Sequence, residues 1–594
     1  MSDHQNGTPN SPKTPEEIAI ERANRFLLQD SAQAPQEPQA PKEWLKGEII
    51  RAEVQRKAEE EAANLARLKA EAGASSGQRR GDKDAETRQR FVEDCAEAGQ
   101  KGSGILFNAL CRGQLIFVPE WDSWLEWKGQ FWSRIWPFEA ASRVENVAQA
   151  YLEGADRLRG MAASARAEDD QEQANQLDAR GRKLRQAADK LHQKQGINAC
   201  LDLSLSHESR LTVPGVRLDA DNFAIVAKNG VVDMRSGMLR PGRPEDYFSR
   251  HCTVEWQGLD APCPKWEQML FEIFGEDPEV LHYMHKLLGM ALCGEISEKI
   301  FVVLLGAEGD SGKTTIFEII YELFTGSDGT SETGYAAPMP VEMLLDQGTP
   351  QNPNAPTPAV LEMKGQRIMW ASEPGENRRF SVDKIKLMSG DDSLVGRSPY
   401  DKGNTKFRPT HTLFLLTNHK MHAGDNDSAF WKRIKLVVCP FSFVSEPDPN
   451  NPLERQVNKN LKREILAAEA SGVLAWLVQG FQLYEIEGLI PPEKIRRDTE
   501  AYRREESIVL QFADACLEAD PEAPRLAAAH LYAVFKAWFE DKMSRKGCPS
   551  ITTFGKLAKR TIRSEKAGGR VWYYGYRFNE QAEHDYPKEV QDYA

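Results

Sequence analysis

The sequence lacks three features that mark secreted, membrane-bound or zinc-ribbon proteins. Its nine cysteines include no CxxC pair, and an odd number at wide spacing is typical of reduced cytosolic thiols. No apolar run approaches the length of a membrane span, and the first residues lack a basic segment followed by an apolar one. The sequence therefore predicts a cytoplasmic protein without a membrane partner.

The sequence also lacks an excess of basic residues. Its formal net charge is −13, which argues against a protein that coats nucleic acid with its whole surface. Screening confines surface charge effects to about 8 Å at physiological salt, so a local basic channel remains compatible with the net charge.

The composition describes a multidomain chain with some solvated segments. A length of 594 residues exceeds one core, and 40% hydrophobic with 28% charged residues is typical of globular proteins. Residues 1–90 are rich in Pro, Gln, Ala, Glu and Lys, which predicts a disordered or helical arm. Two interpretations of this arm stay open: a tether that binds a partner, or a solvated tail.

The stretch FVVLLGAEGDSGKTTIFEIIY, residues 301–321, carries the strongest functional signal. A short apolar strand, a glycine-rich loop and a helix follow one another, which is the context of a phosphate-binding loop. Backbone N–H groups and the helix N-terminus would hold the phosphates of ATP, while Lys313 would reach the outer phosphates and Thr314 would bind Mg²⁺. The predicted nucleotide-binding residues are Gly306, Gly309, Asp310, Ser311, Gly312, Lys313, Thr314 and Thr315. Ala307 replaces the usual first glycine, so the tight turn is expected at Gly306.

The stretches that follow the loop supply further candidates. Residues 328–358 are rich in Gly, Pro, Thr and Asn, which predicts a flexible insert. The next predicted strand, residues 367–372, ends at Glu373, an acid that could hold Mg²⁺ through water or activate the attacking water. A short helix at 382–388, a hairpin at 394–409 with a basic tip, a strand at 410–417 and a helix and strand at 427–440 complete this region.

Residues 91–255 predict an α+β domain. The Trp-rich segment 115–132 and residues 223–247 indicate short strands, and residues 139–195 indicate a long charged helical stretch. The tryptophans could stack on bases, but core packing is the commoner use. Asp219, Asp221 and Asp233 could bind a metal, but carboxylates of turns are the better interpretation.

The last segments predict a compact DNA- or protein-binding domain. Residues 264–298 and 453–489 are helical by periodicity, and a charged helix at 492–506 leads to helices at 508–516, 527–539 and 550–562. A strand pattern at 568–578 completes the order of a winged helix. Lys556, Lys559 and Arg560 on the third helix are the candidate DNA contacts, although with Arg563 they could form a solvated face. The tail from Asn579 is predicted to be acidic and loose.

The order of these motifs resembles superfamily 3 helicases, within the phage/plasmid primase–helicase family. The resemblance is carried by GAEGDSGKTT, RIMWASEPGENRRF, KIKLMSGDDSLVGRSPYDK, THTLFLLTNHK and DNDSAFWKRIKLVVCPF, with KNGVVDMRSG and HKLLGMALCG upstream. It covers residues 91–578. It implies a multidomain α/β chain with an AAA+-type P-loop ATPase core, preceded by an α+β domain and a helical segment and followed by a C-terminal winged helix.

The resemblance implies domain bounds and residue roles. The expected divisions are residues 1–90, 91–255, 256–299, 300–490 and 491–594. Lys313, Glu373, Asn418 and Arg433 are the implied catalytic set, with Asn418 positioning water or sensing the γ-phosphate and Arg433 inserted into a neighbouring subunit. Lys402 and Lys406 of the hairpin are the implied DNA contacts in the channel.

Three functions remain open at this stage. The first is a replicative DNA helicase of a phage or mobile element, a hexameric ring that binds single-stranded or forked DNA in a bacterial host. The second adds priming, which the absence of a convincing acidic cluster in residues 91–255 disfavours. The third is a nucleotide-regulated DNA-binding initiator. The arm could recruit a host or phage primase or polymerase. Departures from the family pattern are Ala307, a single acid at Glu373 with Glu376 uncertain, and Lys432 beside Arg433.

Overall fold

The computed structural model describes residues 77–206, 211–306, 309–325, 333–348, 357–375, 378–397, 404–423, 427–543 and 547–591. Its internal contacts divide the chain into two compact units, Met1–Arg90 and Phe91–Ala594. Helix α1 (Gly77–Glu97) begins in the first unit, and the rest of the predicted arm, residues 1–76, lies outside the described residues. No helix in the described part of the chain has the length and apolarity needed to cross a membrane.

Five helices form the first layer of the second unit. They are α2 (Gly99–Cys111), α3 (Pro137–Ser142), α4 (Glu145–Ala167), α5 (Gln171–Leu191) and α6 (Lys194–Ser204). Alanine, leucine and glycine recur at helical spacing along α4 and α5 and are buried between them. Asp170 caps α5 by accepting the Gln173 N–H at 2.9 Å. The predicted helical stretch is therefore a helical hairpin.

A small antiparallel sheet packs beside these helices. Its strands are β1 (Leu115–Val118), β2 (Ser123–Trp127) and β3 (Trp132–Ile135), in that order. Trp124 and Trp132 are buried, and the Trp132 indole N–H donates to the Pro244 carbonyl at 2.9 Å. Core packing is thus their use, whereas Trp136 is 71% exposed.

A second small sheet holds β4 (Ala224–Ala227), β5 (Gly230–Asp233) and β6 (Leu239–Arg240). The three aspartates near it accept backbone N–H groups. Asp219 accepts the N–H groups of Ser249 and Arg250, Asp221 accepts the N–H of the residue two positions on, and Asp233 accepts the N–H of the residue three positions on. The interpretation as turn carboxylates is confirmed for Asp221 and Asp233. It is wrong for Asp219, whose carboxylate binds a segment 30 positions further along the chain.

The central feature is a five-stranded parallel sheet. Its strands are β7 (Phe301–Gly306), β8 (Ala336–Pro338), β9 (Ile368–Ser372), β12 (Thr412–Thr417) and β13 (Ile434–Cys439). They lie in the order β13-β7-β12-β9-β8, with Phe301 paired to Leu413 on one side and Ile434 on the other. β7 and β12 are almost continuously apolar because helices cover both faces. The predicted multidomain α/β class is confirmed.

Helices and one hairpin surround this sheet. They are α7 (Pro264–Ile273), α8 (Pro278–Cys293), α9 (Lys313–Phe324), α10 (Pro358–Glu362), α11 (Val382–Met388), the hairpin β10 (Leu394–Gly396) with β11 (Thr405–Phe407), and α12 (Ser428–Arg433). The helix predicted to reach residue 298 ends at Cys293, because Gly294 adopts a left-handed conformation with φ 76°.

The flexible insert predicted at residues 328–358 is wrong in part. Residues 326–332 and 349–356 lie outside the described residues, but Ala336–Pro338 is the edge strand β8, paired in parallel with β9. Tyr335, just before it, is almost fully buried. The proline at position 338 is tolerated because it ends an edge strand.

Two buried side chains join β8 and β9 to the β4–β6 sheet. The Arg367 guanidinium donates to the Ala224 carbonyl at 2.9 Å and lies 4.6 Å from the centre of the Tyr335 ring. The Tyr335 hydroxyl donates to the Arg250 carbonyl at 3.1 Å and accepts the Val226 N–H at 3.0 Å. This cluster, here called the Tyr335 joint, links the two sheets through buried hydrogen bonds.

The next segment forms a separate two-stranded sheet before it becomes helical. Strands β14 (Ser442–Val444) and β15 (Glu454–Gln456) pair in parallel, and α13 (Leu461–Ala468), α14 (Ala470–Glu487) and α15 (Glu493–Glu506) follow. The prediction of helix from residue 453 is wrong by eight residues. A turn from Asn451 to Glu454 leads into β15 at positions where helix was predicted.

The C-terminal part has its own core. It contains α16 (Ile508–Cys516), β16 (Leu517–Ala519), β17 (Leu526–Ala527), α17 (Ala528–Lys542), α18 (Ile551–Thr561), β18 (Ser564–Ala567), β19 (Arg570–Tyr573), β20 (Tyr576–Phe578), α19 (Glu580–Asp585) and α20 (Pro587–Gln591). The loose tail predicted from Asn579 is wrong. Ala582 and Tyr586 are buried, and His530 bonds to the Val590 carbonyl at 2.9 Å.

Candidate nucleotide-binding site

The glycine-rich loop follows β7 at the carboxyl ends of the parallel strands. This end of the sheet is here called the carboxyl edge, and the end where the strands begin is called the amino edge. β7 ends at Gly306 and α9 begins at Lys313, as the phosphate-loop pattern predicts. Gly312 has φ 77°, and a Cβ there would lie 2.7 Å from Ile273 Cδ1, so the position requires glycine. The predicted displacement of the tight turn involves Ala307, which lies outside the described residues.

Lys313 is held at the centre of this edge. Its side chain is buried, and Nζ donates to Ser311 Oγ at 2.5 Å and to Asn418 Oδ1 at 2.7 Å. Burial lowers the pKa of the ammonium. A Cβ at Gly306 would lie 2.2 Å from Nζ, so the absence of a side chain at that position makes room for the lysine.

A cavity of about 950 Å³ opens above the loop. Most of the predicted nucleotide-binding and catalytic residues line it: Gly309, Asp310, Ser311, Gly312, Lys313, Thr314, Thr315, Glu373 and Asn418. The structure therefore brings together residues that are up to 109 positions apart. Gly306 lies directly beneath, against the lysine ammonium.

Glu373 follows β9 at the same edge. Its backbone adopts φ 56° and its N–H donates to the Leu416 carbonyl at 3.1 Å, which ties the start of its loop to β12. The carboxylate and the Thr314 hydroxyl are exposed to the cavity. These oxygen donors fit Mg²⁺, which keeps several waters and binds one or two protein oxygens besides phosphate. No group of three metal-binding side chains occurs among the described residues. Glu376, the possible second acid, lies outside them.

Sequence reasoning missed the apolar wall of the cavity. Met269 and Ile273 of α7, Phe443 of β14, and Val457 and Leu461 near α13 form it. Phe443 reaches the loop because its N–H donates to the Asp310 carbonyl at 3.0 Å. No local pattern marks these residues, because they meet only through long-range packing.

Arg433 lies at the amino edge of the sheet, where the parallel strands begin. It ends α12 directly before Ile434, which pairs with Phe301, the first residue of β7. The five intervals between the six residues of β7, at about 3.3 Å each, separate that edge from the glycine-rich loop by about 16 Å. Arg433 does not line the cavity. The half-buried guanidinium instead donates to the Lys386 carbonyl at 2.9 Å and to Ser389 Oγ at 3.0 Å.

The predicted DNA contacts lie in two further places. Lys406 is exposed on β11 opposite Val395, while Lys402 lies outside the described residues. Lys556 and Lys559 are exposed on α18. Arg560 belongs to the same helix, and its side chain is not among those described.

Fold and site together define a multidomain α/β protein with a cavity above a glycine-rich loop, and comparison with known proteins narrows this class. A D5 N terminal like domain matches residues 104–275. The chain is 24% identical over 442 residues to "Putative helicase L207/L206" of Acanthamoeba polyphaga mimivirus, covering 72% of this chain and 44% of that protein. It is 24% identical over 395 residues to "Putative helicase 022R" of Frog virus 3 (isolate Goorha), covering 54% and 39%.

Two solved structures match at lower sequence identity. The apo C-terminal region of NrS-1 matches 65% of this chain and 90% of its own, at 11% identity and TM-score 0.34. JCV helicase matches 66% and 91%, at 12% identity and TM-score 0.21. The chain spans less than half the length of the curated relatives it matches. The resemblance to the primase–helicase family, predicted from the motif order, is confirmed by the D5 domain and the viral relatives.

Proposed function

We propose that this protein is an ATP-dependent DNA helicase of superfamily 3, the replicative motor of a phage or mobile genetic element. The observation that carries the proposal is the contact between Lys313 Nζ and Asn418 Oδ1 inside the cavity. It joins the ends of two adjacent parallel strands, where a phosphate and an attacking water would meet. The helicase names of the viral relatives support the general class.

The strand order supports an AAA+-type core for this motor. In chain order the five strands are numbered one to five, and their spatial order is then 5-1-4-3-2. The phosphate loop follows the first strand, Glu373 follows the third and Asn418 the fourth. The three groups therefore converge at one edge of the sheet.

Each group has a part in ATP hydrolysis. Phosphoryl transfer depends mainly on positioning and charge stabilisation. The N–H groups between Gly309 and Lys313 would hold the phosphates, and Mg²⁺ would be held by Thr314 and, through water, by Glu373. Mg²⁺ neutralises phosphate charge. Binding of ATP would draw the Lys313 ammonium from Ser311 and Asn418 to the phosphates, which frees the Asn418 amide to orient the attacking water.

The remaining cation must come from another subunit. Because Arg433 lies at the far edge of the sheet, it cannot reach the cavity of its own chain. A head-to-tail contact between copies would bring it to the next cavity, and such contacts close into rings when the rotation allows. We propose a hexameric ring with ATP sites at the subunit interfaces.

The DNA contacts follow from the ring. Lys402 and Lys406 of each hairpin would line a central channel and bind phosphates of single-stranded or forked DNA. Only this channel needs a basic lining, which is compatible with the net charge of −13. Residues 508–573 follow the order helix, two short strands, two helices and hairpin, which supports a winged helix. Its Lys556, Lys559 and Arg560 would contact DNA or a partner protein.

Other partners and the cellular location stay proposals. Residues 1–90 would tether a host or phage primase or polymerase, and the protein would act in the cytoplasm of a bacterial host. We do not propose priming, because Asp219, Asp221 and Asp233 are occupied by backbone N–H groups. A nucleotide-regulated initiator remains the competing function.

The decisive experiment measures the ATPase rate per subunit against protein concentration, with and without single-stranded DNA, together with the molar mass in solution. We expect the rate to rise with ring assembly and to rise further with DNA, and an unwinding assay on a forked duplex to follow the ATPase. Nucleotide binding without hydrolysis under all these conditions would overturn the helicase proposal in favour of the initiator.

A further inference from the structure

Helix α12, which carries Arg433 at its last position, is fixed to α11 at both of its ends. At the beginning, Asp427 caps α12 by accepting the Ala429 N–H at 2.9 Å, and the Lys386 ammonium of α11 donates to Asp427 at 2.6 Å. At the end, Arg433 donates to the Lys386 backbone carbonyl. One residue of α11 thus holds both ends, by its side chain and by its backbone.

Only one nitrogen of the Arg433 guanidinium, Nη1, donates hydrogen bonds in this arrangement. Both hydrogen bonds come from Nη1, one to the Lys386 carbonyl at 2.9 Å and one to Ser389 Oγ at 3.0 Å. Within the described part of the chain, Nε and Nη2 contact no acceptor. An arginine whose Nε–Nη2 edge is open presents the fork that binds two oxygens of one phosphate. The contacts to α11 therefore fix the direction of the side chain and leave its phosphate-binding edge available.

Ser389 is suited to accept from Arg433. Its side chain is buried, and its hydroxyl donates to the Ile385 carbonyl at 2.6 Å. Because the single hydroxyl proton is engaged there, the oxygen faces Arg433 as an acceptor. The next residue, Gly390, leaves room for these contacts. A Cβ there would lie 2.8 Å from the Lys386 carbonyl oxygen and 3.4 Å from Arg433 Nη1.

We propose that Ser389, together with the Lys386 carbonyl, is a positioning residue that aims Arg433 at the ATP bound to the neighbouring subunit. The proposal rests on the proposed function, since it needs Arg433 to act in a neighbour's cavity. Ser389 touches neither nucleotide nor DNA in this role. It acts only through Arg433, so removing its hydroxyl lowers the turnover rate and leaves ATP binding in the subunit's own cavity unchanged.

The test is a double-mutant cycle on the full chain with single-stranded DNA. Ser389→Ala, Ser389→Thr and Arg433→Lys are made singly, and Ser389→Ala is combined with Arg433→Lys. Steady-state kcat and KM for ATP, the affinity for a fluorescent ADP analogue, and thermal unfolding are measured for each. Ser204→Ala is the matched control, because Ser204 is also buried with its hydroxyl bonded to a helix carbonyl, that of Leu201 at 2.6 Å.

We expect Ser389→Ala to lower kcat about tenfold with KM changed less than about twofold, since one hydrogen bond to a charged group is lost. Ser389→Thr should restore most of the rate because it keeps the hydroxyl. In the Arg433→Lys background Ser389→Ala should have no further effect, because lysine lacks the fork that Ser389 aims. Ser204→Ala should leave kcat unchanged.

The outcomes separate this inference from the function on which it rests. A wild-type kcat for Ser389→Ala, or the same loss in both backgrounds, overturns the positioning role even if Arg433→Ala is inactive. Normal hydrolysis by Arg433→Ala overturns the trans arginine itself. If Ser389→Ala does not fold, Gly390→Ala serves instead: its Cβ displaces the Lys386 carbonyl and should reproduce the loss of kcat, and an unchanged kcat counts against the proposal.

Discussion

The two edges of the parallel sheet are built in opposite ways. At the carboxyl edge, groups from three strand ends meet in one cavity, and the cation there, Lys313, is buried against side chains that nucleotide would displace. At the amino edge, Arg433 rests on the end of α11 and does not line this cavity. A single chain thus holds the proposed ATP-binding groups at one edge and the cation proposed to stabilise ATP hydrolysis at the other.

This difference is the basis of our proposal that catalysis is shared between copies. Helix C-termini attract cations through their unpaired carbonyls, so Arg433 would sit at the end of α11 in any isolated subunit. What distinguishes it from an ordinary capping arginine is the open edge of its guanidinium. The predictions below test this division between the two edges, beginning with the largest expected effect.

Arg433→Ala and Lys313→Ala should each lower the ATPase rate by about a thousandfold or more. Arg433→Ala should still bind nucleotide, whereas Lys313→Ala should bind it weakly. Mixing the two inactive variants should restore part of the activity, because some interfaces then pair an intact cavity with an intact arginine. The measurement is the ATPase rate of mixtures across the mixing ratio.

The matched control for this experiment is Arg159→Ala, which removes an exposed arginine paired with Asp156 at 3.4 Å on a helix of the first layer. It should keep the wild-type rate. Mixtures that stay as inactive as their components would mean that Arg433 acts within its own chain or not at all.

Asn418→Ala should lower kcat by about a hundredfold, the size of effect seen when one positioned polar group leaves a reaction centre. Nucleotide affinity should change little, because Lys313 keeps its charge and its contact with Ser311. Presteady-state ATP hydrolysis measures the chemical step. The control is Asn175→Ala, the same change at an exposed helical position, which should keep the wild-type rate. If Asn418→Ala impaired only nucleotide binding, that result would argue against its role in orienting water.

Gly306→Ala tests whether the position of Lys313 at the carboxyl edge is needed for nucleotide binding. The new Cβ would lie 2.2 Å from Lys313 Nζ and 2.4 Å from Ser311 Oγ, so the flexible lysine must move. We expect about tenfold weaker nucleotide binding with little change in unfolding temperature, since the end of a long side chain shifts at small cost. Calorimetric titration with ADP checks this. Unaltered affinity would show that the observed position of Lys313 is not needed for binding.

Acid should destabilise both sides of the sheet through buried histidines. Burial lowers the pKa of both His411 and His285 to about 4. The His411 imidazole bonds to the Met388 carbonyl at the end of α11. The unfolded chain, with a pKa near 6.5, takes up the proton first, so stability is full above neutrality and falls as the pH drops towards 4. At pH 5.5 each histidine should cost about 1.4 kcal/mol.

Chemical denaturation at pH 7.5 and 5.5 measures this loss, and His411→Asn should reduce the pH dependence because asparagine keeps a donor without titrating. A free energy of unfolding that does not vary between these pH values would show that neither histidine is protected from protonation in the fold.

The sequence predicts well what local pattern decides. The strand before the phosphate loop, the helix Val382–Met388 and the order of α12 and β13 each follow from a few neighbouring residues. The convergence of Glu373 and Asn418 on the loop also follows, because the ends of parallel strands share an edge. The chemical roles of these residues, and of Arg433, stay predictions.

Other features depend on contacts between distant segments and had no local signal. The edge strand Ala336–Pro338 is hidden in a Gly- and Pro-rich stretch and forms because β9 offers it a partner. The apolar wall of the cavity needs α7 and β14 to meet over the loop, although 160 or more residues separate them. The acidic C-terminus folds because Ala582 and Tyr586 find a place in the core of the last domain.

The Tyr335 joint has a consequence for motion inside the second unit. Tyr335 and Arg367 are buried, and their hydrogen bonds reach the backbone at β4 and at Arg250, so a rotation of one sheet against the other would break hydrogen bonds away from water. Each broken bond would leave a buried polar group unpaired, at a cost of about 1–3 kcal/mol. We therefore expect the parallel sheet and the β4–β6 sheet to move together as one body.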